Sequence, residues 1–171
     1  MPLNILRYGN RALRGKAAPV KEFDEKFRRL VAEMKETMLE GDGIGLAAPQ
    51  VGVPLRFFIV GIPRDPKQHD GDIDWYVIAN PIFVEKSREQ IVMEEGCLSF
   101  PGLYIEVNRP KQVTIEYQDE FGAHQRLTAD TYLARITQHE ADHLDGVLYI
   151  DRVSALKRSL LRRKLKELQV K

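Results

Sequence analysis

The stretch QHEADHLDG (138–146) constrains this chain more than any other, because it sets His139, Glu140 and His143 within five consecutive positions. Histidines at i and i+4 stand one turn apart on the same face of a helix, where both rings reach a single metal ion. The spacing therefore predicts a helix here, and a fold that brings a further ligand to its histidine face. A catalytic divalent ion takes three protein ligands and keeps one position open; the motif supplies two. Glu140, beside the first histidine, is placed to handle the proton of a water at the open position. The bland alternative is two ordinary histidines and a solvated glutamate. The complete H-E-x-x-H unit, on a segment with its own helix caps, argues for the metal.

The third ligand does not lie downstream. Gly146 continues the H-E-x-x-H-x-x-G-x-x-H spacing, but position 149 is Tyr149. Glu167 sits among Arg162, Arg163, Lys164 and Lys166, and His69 and His124 are isolated. Cys97, the only cysteine, remains, in EEGCLSFPG between turns marked by glycine and proline. A lone cysteine also serves as a small buried hydrophobe. With two imidazoles, however, a thiolate makes a sound donor set for a divalent transition metal, and Cys97 is assigned as the third ligand. These donors alone admit zinc, iron, cobalt or nickel, with zinc first as the common redox-silent ion.

The remaining sequence predicts the scaffold. Phe27, Leu30, Val31, Met34 and Met38 recur at helical spacing over 24–40, and Gly41 stops the helix. GDGIGLAAPQVGVPL is a shaped loop, and strands are expected at 55–60, 75–79, 82–86, 104–107, 112–118 and 124–129. The metal helix runs from Thr131 to Leu144, with Asp130 as N-cap and Gly146 near the C-cap. A last helix begins near Ser154 and reaches the end. Helices at both ends with strands between predict an α+β fold in one domain, 1–171: mixed or antiparallel strands around a central metal-binding helix. A net charge of +1 argues against a chain built to coat DNA or an anionic membrane. No apolar run approaches a membrane span, and a single cysteine requires no oxidising compartment. A cytoplasmic protein is expected, unless a targeting segment is absent from this chain.

GIGLAAPQ (43–50), EGCLSFPG (95–102) and QHEADHLDG (138–146) resemble the three motifs of the peptide deformylases, in the same order and at similar intervals. ILRYGNRALR near the start and the late helix also look like that family. The resemblance implies removal of the N-formyl group from the initiator methionine of newly made bacterial or organellar proteins, so the partners are N-formylmethionyl nascent polypeptides. It implies Fe²⁺ as the working ion, with Zn²⁺, Ni²⁺ or Co²⁺ as substitutes, and gives the oxyanion contacts to the Gln50 side-chain amide and the Leu98 backbone N–H. Glu140 then takes the proton of the attacking water and passes it to the leaving amine. Two rivals are a zinc endopeptidase, which lacks a downstream ligand, and a structural metal site, which would use four protein ligands.

Substrate contacts are expected along the glycine loop. Gly43 and Gly45 permit a tight turn and also let an extended peptide approach and pair, with Ile44 facing it. Ile136 and Arg135, one turn before His139, together with Ile44 and Met93, are candidates to wall a methionine pocket; for Ile136 a plain core position is the alternative. Glu95 is read as a support for the cysteine loop, paired with Arg109. Between 152 and 171, Arg152, Lys157, Arg158, Arg162, Arg163, Lys164, Lys166 and Lys171 face one acid, Glu167. Leu156, Leu160, Leu161, Leu165 and Leu168 form an apolar stripe on the same segment. This basic end is a candidate for salt-sensitive contact with ribosomal RNA; the enzyme is expected to be a monomer.

Overall fold

The computed structural model describes residues 2–64 and 72–169; His69 and Lys171 lie outside the described residues. The first helix, α1 (Glu25–Glu40), starts where Asp24 Oδ1 accepts the Phe27 N–H at 2.8 Å and ends at Gly41. Its Phe27, Val31, Met34 and Met38 are buried. The strands are β1 (Gly45–Ala47), β2 (Phe57–Pro63), β3 (Ile73–Lys86), β4 (Gln90–Cys97), β5 (Phe100–Pro110), β6 (Gln112–Gln118) and β7 (His124–Asp130). Then come α2 (Thr131–Leu144), α3 (Ala155–Leu160) and α4 (Arg162–Leu168).

The fold is α+β with antiparallel sheets. One sheet has the order β1-β2-β3-β6-β7, and β4 and β5 form a separate hairpin. Phe57, Phe58, Ile59 and Val60 are all fully buried, so both faces of β2 are covered. One face meets α1 through Phe27 and Met34, and the other meets α2 through Ile136, Ala141 and Leu144. Every residue of α2 from Ala134 to Leu144 is buried. A helix buried all round would ordinarily be apolar, yet this one carries Arg135, Thr137, Gln138, His139, Glu140, Asp142 and His143. Each buried polar group needs a partner, and supplying those partners shapes the centre of the molecule.

Several boundaries differ from the sequence reading. The runs at 75–79 and 82–86 are one strand, β3, bent by irregularities in its pairing with β6. Asn80 turns the chain at φ +51° without ending it, because its side chain bonds both backbone groups of Val20 and the Gln118 amide. β4 was not foreseen; its apolar residues do not alternate cleanly, and Val92 is exposed. Asp130 precedes α2, but its side chain makes no capping bond. The last helix is two short ones joined at Leu161. Its leucine stripe divides: Leu161, Leu165 and Leu168 pack beside Phe100, Leu103 and Tyr149, whereas Leu156 and Leu160 are 73% and 78% exposed. No helix of the described residues is long and apolar enough to cross a membrane.

Candidate metal centre

Cys97, His139 and His143 converge although 41 residues lie between the cysteine and the first histidine in sequence. One ligand atom from each lies within 4.8 Å of the others, and Cys97 Sγ is 3.4 Å from His143 Nε2. A tetrahedral ion with ordinary metal–sulfur and metal–nitrogen bonds spaces such atoms about 3.5 Å apart. The β4–β5 turn delivers the cysteine: Cys97 pairs with Phe100, leaving Leu98 and Ser99 at the tip. The donor set and its spacing fit a divalent transition metal.

Burial and surrounding charges act differently on the two imidazoles. His139 Nδ1 meets Glu95 Oε2 at 2.8 Å, which leaves Nε2 for the cysteine side. Burial pulls the His139 pKa down, but its bonds to Cys97 and Glu95 raise it well above the usual imidazole range. A cation beside Cys97 would take the place of a proton on Nε2, and Glu95 would keep the one on Nδ1. His143 goes the other way: burial, then the positive charges of His139 and Arg109, hold it neutral. A neutral ring is the ligating form.

Glu95 is the keystone of a buried charge network. It accepts from Arg109 Nε at 2.6 Å and Nη2 at 3.0 Å, and from Arg135 Nη1 at 2.8 Å. Burial alone would raise its pKa; the hydrogen bonds from His139 and Arg109 outweigh that and hold it far below the usual carboxylate range. Arg109 also reaches Asp142 at 2.8 Å, and Asp142 is shared with Arg152. Arg135 continues to the carbonyls of Val107 and Ile91. The Glu95–Arg109 pair read from the sequence is present; the parts played by Asp142 and Arg135 were missed. The polar run 137–140, 142 and 143, which no single solvated helix face can hold, signals that this helix has buried polar partners but not which residues they are.

Gln50 is 1% exposed and fixed at both ends. Its Oε1 accepts the Ala47 N–H at 2.8 Å, so Nε2 must point the other way, to Ser99 Oγ at 3.2 Å and Cys97 Sγ at 3.5 Å. Glu140 lines the same cavity as Gln50. Burial raises its pKa to about 7, against the charge of His139, and its Oε2 has no hydrogen-bond partner among the described residues. A buried carboxylate oxygen without a partner is suited to a water or a substrate proton.

A cleft of about 670 Å³ opens onto these groups, and its lining includes Gly43, Ile44, Gly45, Glu94, Gly96 and Leu98. Ile136 and Arg135 line it, and Ile136 is also part of the core beside Ile44. Met93 does not line it; Tyr104 and Tyr132 do. The glycines act differently from the tight-turn reading, since neither Gly43 nor Gly45 has positive φ. A Cβ on Gly43 would stand 2.7 Å from Leu98 Cδ1, and one on Gly45 would stand 2.5 Å from Glu140 Oε1. Gly45→Ala is accordingly expected to displace the Glu140 carboxylate and lower turnover about 10²-fold, the scale of an ångström's misplacement. Bound metal, measured by elemental analysis, should be unchanged.

Comparison with known proteins agrees with this geometry. The sequence model of the family described as Polypeptide deformylase matches residues 2–159. The chain is 43% identical to the peptide deformylase of Thermotoga maritima over 94% of its own length and 93% of that protein. It is 46% identical to the peptide deformylase of Helicobacter pylori (strain G27) over 99% and 96%. Among solved structures, a peptide deformylase from Legionella pneumophila is similar with a TM-score of 0.87 and 41% identity, over 98% of this chain and 95% of that one. A plant peptide deformylase has a TM-score of 0.91 and 38% identity, over 98% and 89%. The chain belongs to the polypeptide deformylase family, metal-dependent hydrolases that remove the N-formyl group from newly made proteins and release formate.

Proposed function

We propose that, within one domain spanning 1–171 and built around the α2 helix, Cys97, His139 and His143 hold the ion and Glu140, Gln50 and Leu98 carry the chemistry. When bound, a divalent ion there makes water acidic enough to attack a formyl carbon near neutral pH. The observation that carries the reading is a cleft lined by Cys97, His139, the Glu140 whose Oε2 has no partner among the described residues and the fixed Gln50 amide, with His143 converging on Cys97 and His139 behind it. Glu140 accepts the proton of the attacking water and returns it to the departing amine, which otherwise leaves as a poor anion. The Gln50 Nε2–H and the Leu98 backbone N–H donate to the formyl oxygen as negative charge develops on it. Gln50 does this as a neutral donor that cannot compete for the ion.

Gly43, Ile44, Gly45 and Ile136 are the proposed substrate contacts. β1 is an edge strand of its sheet, so an extended N-terminal peptide can pair along it with its first side chain against Ile44 and Ile136. We assign Fe²⁺ as the native ion, with Zn²⁺, Ni²⁺ or Co²⁺ able to take its place; the thiolate and two imidazoles are compatible with each. All the proposed groups come from one chain, which suits a monomer, and a substrate of newly made proteins suits a cytoplasmic enzyme. The deciding experiment is formate release from a formyl-methionyl peptide by anaerobically prepared protein, with metal analysis of the same sample. Formate with iron is expected. Cleavage of blocked internal peptides in its place would overturn the reaction, and fully active protein that carries zinc and no iron as purified would overturn iron as the native ion.

The basic C-terminal segment is proposed to dock on ribosomal RNA phosphate. Much of its charge is engaged internally: Arg152 with Asp142, Arg158 with Asp151, Lys157 with the Glu106 carbonyl, and Lys164 with the Gly102 carbonyl. Arg162 and Lys166 have no such partner among the described residues, and Arg163 only approaches Glu167 at 3.8 Å. Reversing Arg162, Arg163 and Lys166 to Glu is expected to abolish low-salt co-sedimentation with ribosomes while short formyl-peptides are still hydrolysed. Equal co-sedimentation of variant and parent would end the docking idea.

A further inference from the structure

We infer that residues 6–8 form a strap that holds the two oxyanion donors in register, with Arg7 as its positioning side chain. The inference rests on the proposed roles of Gln50 and Leu98. Those donors come from separate parts of the fold, Gln50 from the short 3-10 turn after β1 and Leu98 from the tip of the β4–β5 hairpin. Two donors aimed at one developing charge must hold their spacing to within about 0.5 Å.

Three consecutive residues reach across that gap. The Leu6 N–H donates to the Gln50 carbonyl at 2.7 Å, and the Tyr8 N–H donates to the Ser99 carbonyl at 3.0 Å. Between them, Arg7 Nη1 donates to the Leu98 carbonyl at 2.5 Å. Tyr8 adds a stacked contact with Phe100, ring centroids 4.8 Å apart, at the far end of the same turn. The strap is anchored at both ends: the Leu3 N–H bonds Thr37 Oγ1 on α1 at 2.8 Å, and Leu13 is 1% exposed. Both carbonyls at the hairpin tip are thus held from outside the hairpin, and the backbone of Gln50 is held by the same strap.

Arg7 is the part of this device that a substitution can remove. It is exposed and makes no ion pair among the described residues, so its charge-assisted bond to Leu98 is its one directed contact there. Losing it frees the tip to shift without uncovering any core. It also lines the cleft, so the test separates positioning of the turn from direct contact with substrate.

The test measures kcat, KM, bound metal and Tm for Arg7→Ala, Arg7→Lys and Gln50→Ala with formyl-methionyl peptides of two lengths. Arg7→Ala is expected to lower kcat about tenfold, part of the 10²–10³ that loss of a whole oxyanion donor costs. KM should stay within about twofold for both peptides, since an interaction made only in the transition state leaves ground-state binding alone. Metal and Tm should match the parent. Arg7→Lys, which can still donate to the Leu98 carbonyl, should recover most of the rate. An unchanged kcat for Arg7→Ala, a rise in KM that grows with peptide length, or a lysine variant as slow as the alanine one each overturns the strap. Gln50→Ala reports on the underlying reading: it should lower kcat about 10²-fold with metal retained. If it does not, the oxyanion assignment itself fails, whatever Arg7 does.

Discussion

Cys97→Ala protein is expected to emerge from purification without bound metal and without deformylase activity. Among the described residues, the sulfur is the one member of the converging group that does not come from α2. Without it, two imidazoles one helical turn apart remain, and His139 and His143 alone leave half of a tetrahedral shell to water. The change to the fold itself is small, because Cys97 is only partly buried at the hairpin tip and alanine fills most of its space. That makes the result readable. Parent protein should gain thermal stability when metal is added to chelated samples, because the ion binds the folded state alone. Cys97→Ala should show no such response in calorimetry. A stoichiometric ion in that variant, by elemental analysis, would mean that the third ligand is another residue.

Glu140→Ala should do the opposite: keep the metal and lose the rate. Glu140 is not among the ligand atoms that converge, so the metal shell is untouched, while the proton carrier between water and amine is gone. A positioned acid–base group contributes about 10²–10⁴-fold, and a loss in that range is expected in kcat. The pH profile gives a second check. Burial raises the Glu140 pKa to about 7, and a nearby divalent cation favours the carboxylate and shifts it lower. Glu140 works as a base when deprotonated, so activity should fall as pH drops through that value. The acid limb of kcat/KM should therefore lie at or below about 7, and should vanish from the residual activity of the variant. Metal loss in Glu140→Ala would recast the residue as a ligand or a structural support.

Much of the site was legible because its chemistry needs particular residue types at fixed spacing. His139 and His143 at i and i+4, with Glu140 between them, announce a helix and a metal together. Cys97 was found because the chain offers one thiol and no better donor. The Glu95–Arg109 pair was legible as a support for the cysteine loop. Asp142 and Arg135 were not, because which charges a buried helix satisfies depends on what packs around it. The β4 strand was missed for a related reason: its partner β5 and the charged Glu95 determine which of its faces is covered, and its own pattern does not.

The sequence by itself determined the family, the candidate donor set and the α+β composition, since these rest on local spacing and residue chemistry. Only the tertiary structure decided how the donors are aimed. Gln50 presents its Nε2 because the Ala47 N–H occupies its oxygen, and His139 presents its Nε2 because Glu95 holds the other nitrogen. Gly45 is small because Glu140 lies against it, not because the chain must turn there. The leucine stripe near the C-terminus looked continuous, yet Leu165 is buried and Leu160 is not, because the helix breaks at Leu161. Orientation and burial are set by contacts between residues far apart in the chain, and periodicity within one segment carries no record of them.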